Sequence, residues 1–315
     1  MRSHAAMHNT RLRPHASTWR NNMTIGILIF SESIESVPTG ADRFEEAAAL
    51  LGHTLVKLYE PYLSFIDGEI FHKGELLPPI DIIISRPNFV EEPSLRTYAV
   101  QLLEQAGYKI LNGRNGFTWA KNKLTQHVLF QQHHLPCPRW AIARKPEDAI
   151  RAAQTIHYPV IVKVAFGTHG KGVFYAPDEQ TLRPLVDYLA IRDRNPLIIE
   201  EFVEEAQNSD LRVYVVNGTI VAAMERKAIA GEVRANASLG GVGSMVELTQ
   251  EEQDLALKAT EVFELQIAGV DLIRSTRGPL ILEINGNPGF KELERVTNID
   301  LAKIILEYAI SQATK

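Results

Sequence analysis

The chain has 315 residues, 45% of them hydrophobic and 23% charged, with a formal net charge of -5. That length and composition support two or three compact units with ample core, and the charge gives no support for a general nucleic-acid or membrane-surface role. The single cysteine, Cys137, excludes an internal disulfide framework, so a reducing compartment, the cytoplasm, is the expectation.

Residues 1–22 hold four arginines, three histidines and no acid, and lack the apolar stretch of a secretory signal. They read as a transit peptide or as a leader or tag, disordered and outside the fold. No run approaches the roughly 18 apolar residues that span a bilayer. From Met23 to about residue 115, buried strands (TIGILIF, TLVKLY, IDIIIS, YKILN) alternate with helices (RFEEAAALLG, SLRTYAVQLLEQAG), which predicts a parallel α/β sheet. IDGEIFHKGELLPP predicts a hairpin with glycine turns. No dinucleotide-type glycine fingerprint follows the first strand.

A second unit, residues 116–196, is predicted to open with one helix from Gly116 to His133. Cys137 follows between two prolines and reads as a bystander. A strand, YPVIVKVA, is joined by Phe166–Gly172, FGTHGKG, to the strand VFYA, and a helix over 178–190 closes the unit. A G-x-x-G-x-G loop between strands bares backbone N–H groups to an anion, or is a mobile hairpin tip; it is not a Walker A motif. Lys163 stands alone in its apolar run and needs an anion, a role that a phosphate would fill.

The last unit, residues 197–315, starts with LIIEEF and the Asn-Gly hairpin DLRVYVVNGTIVAAMERKA. Glu200 and Glu201 read as exposed strand-end acids. A sharper alternative has the backbone after this strand bonding an adenine edge, with Asp210 accepting from ribose hydroxyls. Arg226, Arg234 and Asn236 flank a glycine-rich loop; they are either solvated or suited to charge developing on a transferring phosphoryl group. Helices are predicted from Thr249 and over 298–311.

The stretch AGVDLIRSTRGPLILEINGNPG reads as two strands around a turn centred near Arg277. That register sets Asp271 opposite Glu283, with Asn285 on the same face by the period of two. Opposed side chains have Cβ atoms about 5 Å apart, and two like charges there need something positive between them. Either the acids are solvated or they hold a hard cation; their apolar runs favour the cation, Mg²⁺ or Mn²⁺.

Taken together, Lys123, the Lys163 strand, GTHGKG, IIEEFVEEAQNSDLR, ERKAIAGEVRANASLGG, the hairpin and TNIDLAKIIL resemble the ATP-grasp fold, specifically the RimK family of ATP-dependent glutamate ligases. The similarity runs from Met23 to the C-terminus and is densest after Lys163. It implies an α+β fold, with a Rossmann-like pre-ATP-grasp domain (23–115) before two subdomains (116–196 and 197–315) that clasp ATP. It further implies that Lys123 and Lys163 contact phosphates under a flap containing Gly167, Thr168, Gly170 and Gly172. Glu201 and Phe202 would line the adenine hinge, Asp210 the ribose, and Arg234, Ala235 and Asn236 the phosphate end. Arg226 and Arg234 would act in catalysis, and Asp271, Glu283 and Asn285 would hold two Mg²⁺ or Mn²⁺ ions. The implied partners are glutamate or a similar amino acid and a peptide or protein C-terminus, a ribosomal protein among the candidates. No nucleic acid or membrane is implied, and a homo-oligomer is expected. A small-molecule or carrier-protein acceptor, and a non-catalytic ATP-binding regulator, are the alternatives. Arg86-Pro87-Asn88 and Asn287-Pro288-Gly289 depart from the family pattern where substrate specificity could be set.

Overall fold

The computed structural model describes residues 22–32, 40–89, 92–167, 172–229 and 242–314. Its first part contains β1 (Thr24–Ile29), α1 (Ala41–Leu50), β2 (Thr54–Tyr59), β3 (Leu63–Ile66), β4 (Glu69–His72), β5 (Glu75–Leu76), β6 (Ile82–Arg86), α2 (Ser94–Gln105) and β7 (Ile110–Leu111). The expected parallel sheet forms in the order β2-β1-β6-β7, with β3-β4-β5 as a separate antiparallel meander. β6 is buried along its whole length, as a central parallel strand covered on both faces must be.

The single helix expected over 116–133 is instead two, α3 (Arg114–Lys121) and α4 (Lys123–Gln132). Asn122 causes the break: its backbone is extended, and its side chain accepts from the N–H groups of Leu124 (3.0 Å) and Thr125 (3.3 Å), capping α4. There follow β8 (Trp140–Ala143), α5 (Pro146–Ile156), β9 (Val160–Val164), β10 (Val173–Ala176), α6 (Glu179–Arg192) and β11 (Leu197–Glu201). The sequence reading put β11 at the head of the last unit. It hydrogen-bonds between β9 and β8 in the sheet β10-β9-β11-β8, because its continuous apolar run needs a strand on each side. α5 and α6 bury one face of this sheet in a core of its own.

The last sheet, β14-β13-β12-β15-β16, is built from β12 (Ser209–Val216), β13 (Thr219–Lys227), β14 (Val242–Met245), β15 (Ile267–Ser275) and β16 (Gly278–Asn285), with α7 (Gln250–Val262) packed on one face. Asn217 and Gly218 both have positive φ (51° and 66°), the conformation that the Asn-Gly turn predicts. Two helices end the chain, α8 (Lys291–Thr297), not foreseen, and α9 (Leu301–Ala313). α9 does not stay with the last sheet. Its Leu301, Ile305, Leu306 and Ile310 join Ile25, Ile27, Phe44, Ile82 and Ile84 of the first sheet's layer, and Tyr214 and Ile267 of the last sheet, in one core.

Candidate active site

A cleft of about 140 Å³ lies between the sheet of β8–β11 and the face of the last sheet opposite α7. Ile161, Val173, Phe202, Ile273 and Leu282 give it apolar walls; Lys163, Glu200, Glu201, Asp210, Asp271 and Glu283 bring charge into it. Such an apolar slot with a few convergent polar groups is the usual form of a small-ligand site.

The hairpin that supplies Asp271 and Glu283 differs from expectation in one detail that decides its geometry. The turn is Thr276–Arg277, with Ser275 paired to Gly278 and Leu272 to Ile281. Carried straight on, that register would set Asp271 against Leu282. A β-bulge between Asp271 and Leu272 shifts it by one residue, so that Asp271 faces Glu283 and Gly269 faces Asn285. Leu282 and Glu283, neighbours in sequence, both line the cleft as a result. Gly269 is required here, since a Cβ would come within 2.6 Å of Pro288.

Strand register also builds a buried charge network on this face. Asp210 lies across from Arg226, and Arg212 across from Asp271. Arg226 donates to Asp210 from Nε (2.6 Å) and Nη2 (2.9 Å), and its Nη2 lies 3.2 Å from Oδ2 of Asp271. Asp271 also accepts from Arg212, through Nε and through Nη2 at 2.9 Å. Burial pushes the Asp271 carboxyl up, but its two guanidinium neighbours outweigh that and hold it below the ordinary aspartate value. Asp210 shares one guanidinium with the Asp271 charge nearby, and burial leaves its carboxyl raised. Burial alone would lower the Arg226 pKa; the two carboxylates raise it instead. Arg226, expected to face a phosphoryl group, is therefore 4% exposed and engaged by two acids.

Lys123, at the first turn of α4, reaches Glu283 at 2.8 Å. Lys163 has the anion its apolar strand demands, but that anion is Glu200. Glu200, read as an exposed strand-end acid, is 1% exposed. It lies diagonally from Lys163 on the adjacent strand, since Lys163 pairs with Ile198. His127 of α4 approaches its other oxygen at 3.6 Å. Burial works against the Glu200 charge, yet Lys163 and His127 hold its pKa below normal. Glu201 accepts from the Arg139 N–H (3.0 Å) and from Arg277 (2.7 Å), while Phe202 meets Tyr175 edge-on at 5.0 Å. Gly167 follows β9, and Gly172 has φ +84° where a Cβ would strike Val164 at 2.3 Å. Thr168, Gly170, Arg234, Ala235 and Asn236 lie outside the described residues.

The donor set suits a hard divalent cation: two opposed carboxylates, and the Asn285 carboxamide, which makes no hydrogen bond among the described residues. Among those residues no group of three or more His, Cys, Asp and Glu side chains gathers as a ligand cage. A Mg²⁺ site needs none, because one or two carboxylates suffice when water and phosphate oxygens complete the shell.

Beside the hairpin, buried Arg86 lies against the rings of Phe44 and Phe290, which meet edge-on, and donates to the Pro288 carbonyl at 3.4 Å. Asn287 donates to the Pro87 carbonyl at 2.9 Å. Both side-chain atoms of Asn88, and Oδ1 of Asn287, are buried without a hydrogen-bond partner. The two segments that depart from the family pattern thus meet here.

Residues 120–309 match the family model for the RimK-like ATP-grasp domain. The chain belongs to the RimK-like ATP-grasp family. This RimK-like chain is 34% identical over 279 residues to the "Ribosomal protein bS6--L-glutamate ligase" of Salmonella paratyphi B, covering 86% of this chain and 92% of that protein. It is 34% identical over 297 residues to the "Probable alpha-L-glutamate ligase" of Shewanella pealeana, covering 91% of this chain. The match spans 63% of that relative, just under two thirds of its length. Among solved structures, the ATP-grasp ligase PsnB complexed with minimal precursor, Mg and ADP aligns with a TM-score of 0.69 at 18% identity, over 92% of this chain and 97% of PsnB. That likeness bears on the fold, which is ATP-grasp.

Sequence reasoning missed four participants. Arg212 follows Asp210 at the strand period and was legible in DLR. The burial of Glu200 was hinted at by the apolar run LII before it. Nothing in the local sequence of α4 marks His127, which approaches Glu200, or Gln126, which bonds the Ile284 backbone next to Glu283, as serving the site.

Proposed function

We propose that the chain is an ATP-dependent carboxylate–amine ligase that adds L-glutamate to the C-terminus of a protein or peptide. The observation that carries this reading is the bulged hairpin, which turns Asp271 and Glu283 into the same cleft as Lys163 and the segment Glu201–Val203. The names of the Salmonella and Shewanella relatives support glutamate as the amino acid, and the Salmonella name supports a ribosomal protein as acceptor. The PsnB complex supports ATP with Mg²⁺.

On this reading the adenine lies between Ile161, Val173 and Phe202 on one side and Ile273 and Leu282 on the other, with its edge at the backbone of 201–203. Lys163 and Lys123, paired here with Glu200 and Glu283, would contact the phosphates. Asp271, Glu283 and Asn285 would hold two Mg²⁺ or Mn²⁺ ions, which when bound neutralise charge on the phosphoryl group. Arg212 and Arg226 keep Asp271 ionised and fix its direction. The acceptor carboxylate attacks the γ-phosphorus and ADP departs. The amine of glutamate then attacks the acyl carbon, losing a proton, and inorganic phosphate leaves as the amide forms. On this reading the unpaired groups of Asn88 and Asn287, beside the end of the hairpin, set acceptor specificity.

The test is to incubate the protein with ATP, Mg²⁺, isotope-labelled glutamate and cell-extract proteins and to follow mass shifts. Label appearing on a protein or peptide C-terminus, and vanishing in Asp271→Ala, is the expected result. Label found only on a small molecule would move the acceptor to that class. ATP binding with no ADP formed under any amino acid would sink the ligase.

A further inference from the structure

β16 is an edge strand, and the N–H and carbonyl of Ile284, the residue between Glu283 and Asn285, point to α4 and not to β15. An unpaired strand edge in a buried place would leave polar groups without partners. Gln126 of α4, 1% exposed, fills that role with its side chain. Its Oε1 accepts from the Ile284 N–H at 3.0 Å, and its Nε2 donates to the Ile284 carbonyl at 3.1 Å and to the Ala120 carbonyl at 2.8 Å. The carboxamide cannot be turned over, because its oxygen would then face two carbonyl oxygens. One side chain thus pairs with the strand as a neighbouring peptide would. Gln126 stands one helical turn after Lys123, which bonds Glu283. Asn112 holds the next residue but one, donating to the Gly286 carbonyl at 2.8 Å.

We propose that Gln126 is a positioning residue for the cation: its grip on the Ile284 peptide sets the directions of Glu283 and Asn285 together. The proposal rests on the cation reading of this hairpin. A side chain lying on either side of one peptide plane cannot keep its aim if that plane tilts, and outer partners of this kind typically govern metal affinity by 10–100-fold. Glu283 has Lys123 as a second restraint, whereas the Asn285 carboxamide makes no hydrogen bond among the described residues, so the aim of Asn285 depends most on the clamp.

The experiment measures Mn²⁺ binding by electron paramagnetic resonance in the full chain with ADP present, and ADP binding separately without metal. In Gln126→Leu, with wild-type circular dichroism, Mn²⁺ affinity is expected to fall 10–100-fold while metal-free ADP affinity changes less than about threefold. Gln126→Glu, which accepts from Ile284 N–H but donates to neither carbonyl, is expected to fall in between, and it serves as the test should the leucine variant not fold. Thr249→Ala, remote from the cleft, controls for lost stability and is expected to leave Mn²⁺ affinity unchanged. Mn²⁺ affinity within twofold of wild type in a folded Gln126 variant overturns the clamp alone. A wild-type chain that binds ADP but no Mn²⁺ overturns the cation reading, and the clamp with it.

Discussion

Individual side chains here have roles set more by what faces them than by their type. Cys137 shows this plainly. It is the only cysteine, and burial together with the nearby Glu200 charge pushes its thiol up to about 11. The thiolate is the reactive form, so Cys137 should resist iodoacetamide at neutral pH in the folded protein and react at an unhindered rate only as pH approaches about 11. Rapid labelling at pH 7.5 by intact mass would contradict that. Asp271 and Glu283 were legible as a pair because they interrupt apolar runs. Glu200 was not legible: its neighbour Glu201 carries the same charge, and only the placement of β11 between two strands separates a fully buried acid from a partly buried one.

At the level of elements, the hairpin shows how a correct conclusion is reached along an inexact route. A turn centred on Arg277 predicts the pair Asp271–Glu283; the actual turn lies half a residue earlier, and the bulge restores the pair. No residue type in the stretch announces a bulge, which is why it could not be read. Helix starts were more legible. Thr249 caps α7 and accepts from the Glu252 N–H at 3.3 Å, while Glu252 accepts from the Thr249 N–H at 2.9 Å and pairs with Arg274 at 2.6 Å. Thr249→Ala should cost about 0.5–2 kcal/mol in urea unfolding. Burial raises the Glu252 pKa, but Arg274 and the Thr249 N–H outweigh this and hold it below the ordinary 4.5. Because the folded value is the lower one, this stabilisation is complete above about pH 4.5 and is lost as pH falls through the folded value. The stability gap between wild type and Glu252→Gln should therefore be widest near neutrality and close in acid. A gap of constant size between pH 7 and pH 3 would contradict the assignment.

For the molecule as a whole, strand and helix alternation made the sheets legible, while their partnership across the chain was not. Periodicity says that α9 has an apolar face; it does not say that the face belongs to a sheet begun about 275 residues earlier. The sheet of β8–β11 has its own core with α5 and α6, whereas the first and last sheets share one. Ile305→Ala, at a fully buried contact in the shared core, should cost about 2–5 kcal/mol. Hydrogen exchange should show protection falling together in β1, β6, β12 and α9, while β9 and β11 keep theirs. Uniform loss across all strands would mean that the two cores are not separate.

That shared core has a bearing on how the protein is made. Emerging from the ribosome, β1 and β6 lack the cover that α9 will give until residues 301–313 have been translated, whereas β8–β11 already possess both their helices by residue 201. The middle of the chain is therefore ready to fold ahead of its beginning, and a nascent chain stalled just short of Leu301 should bind chaperones through its earliest strands.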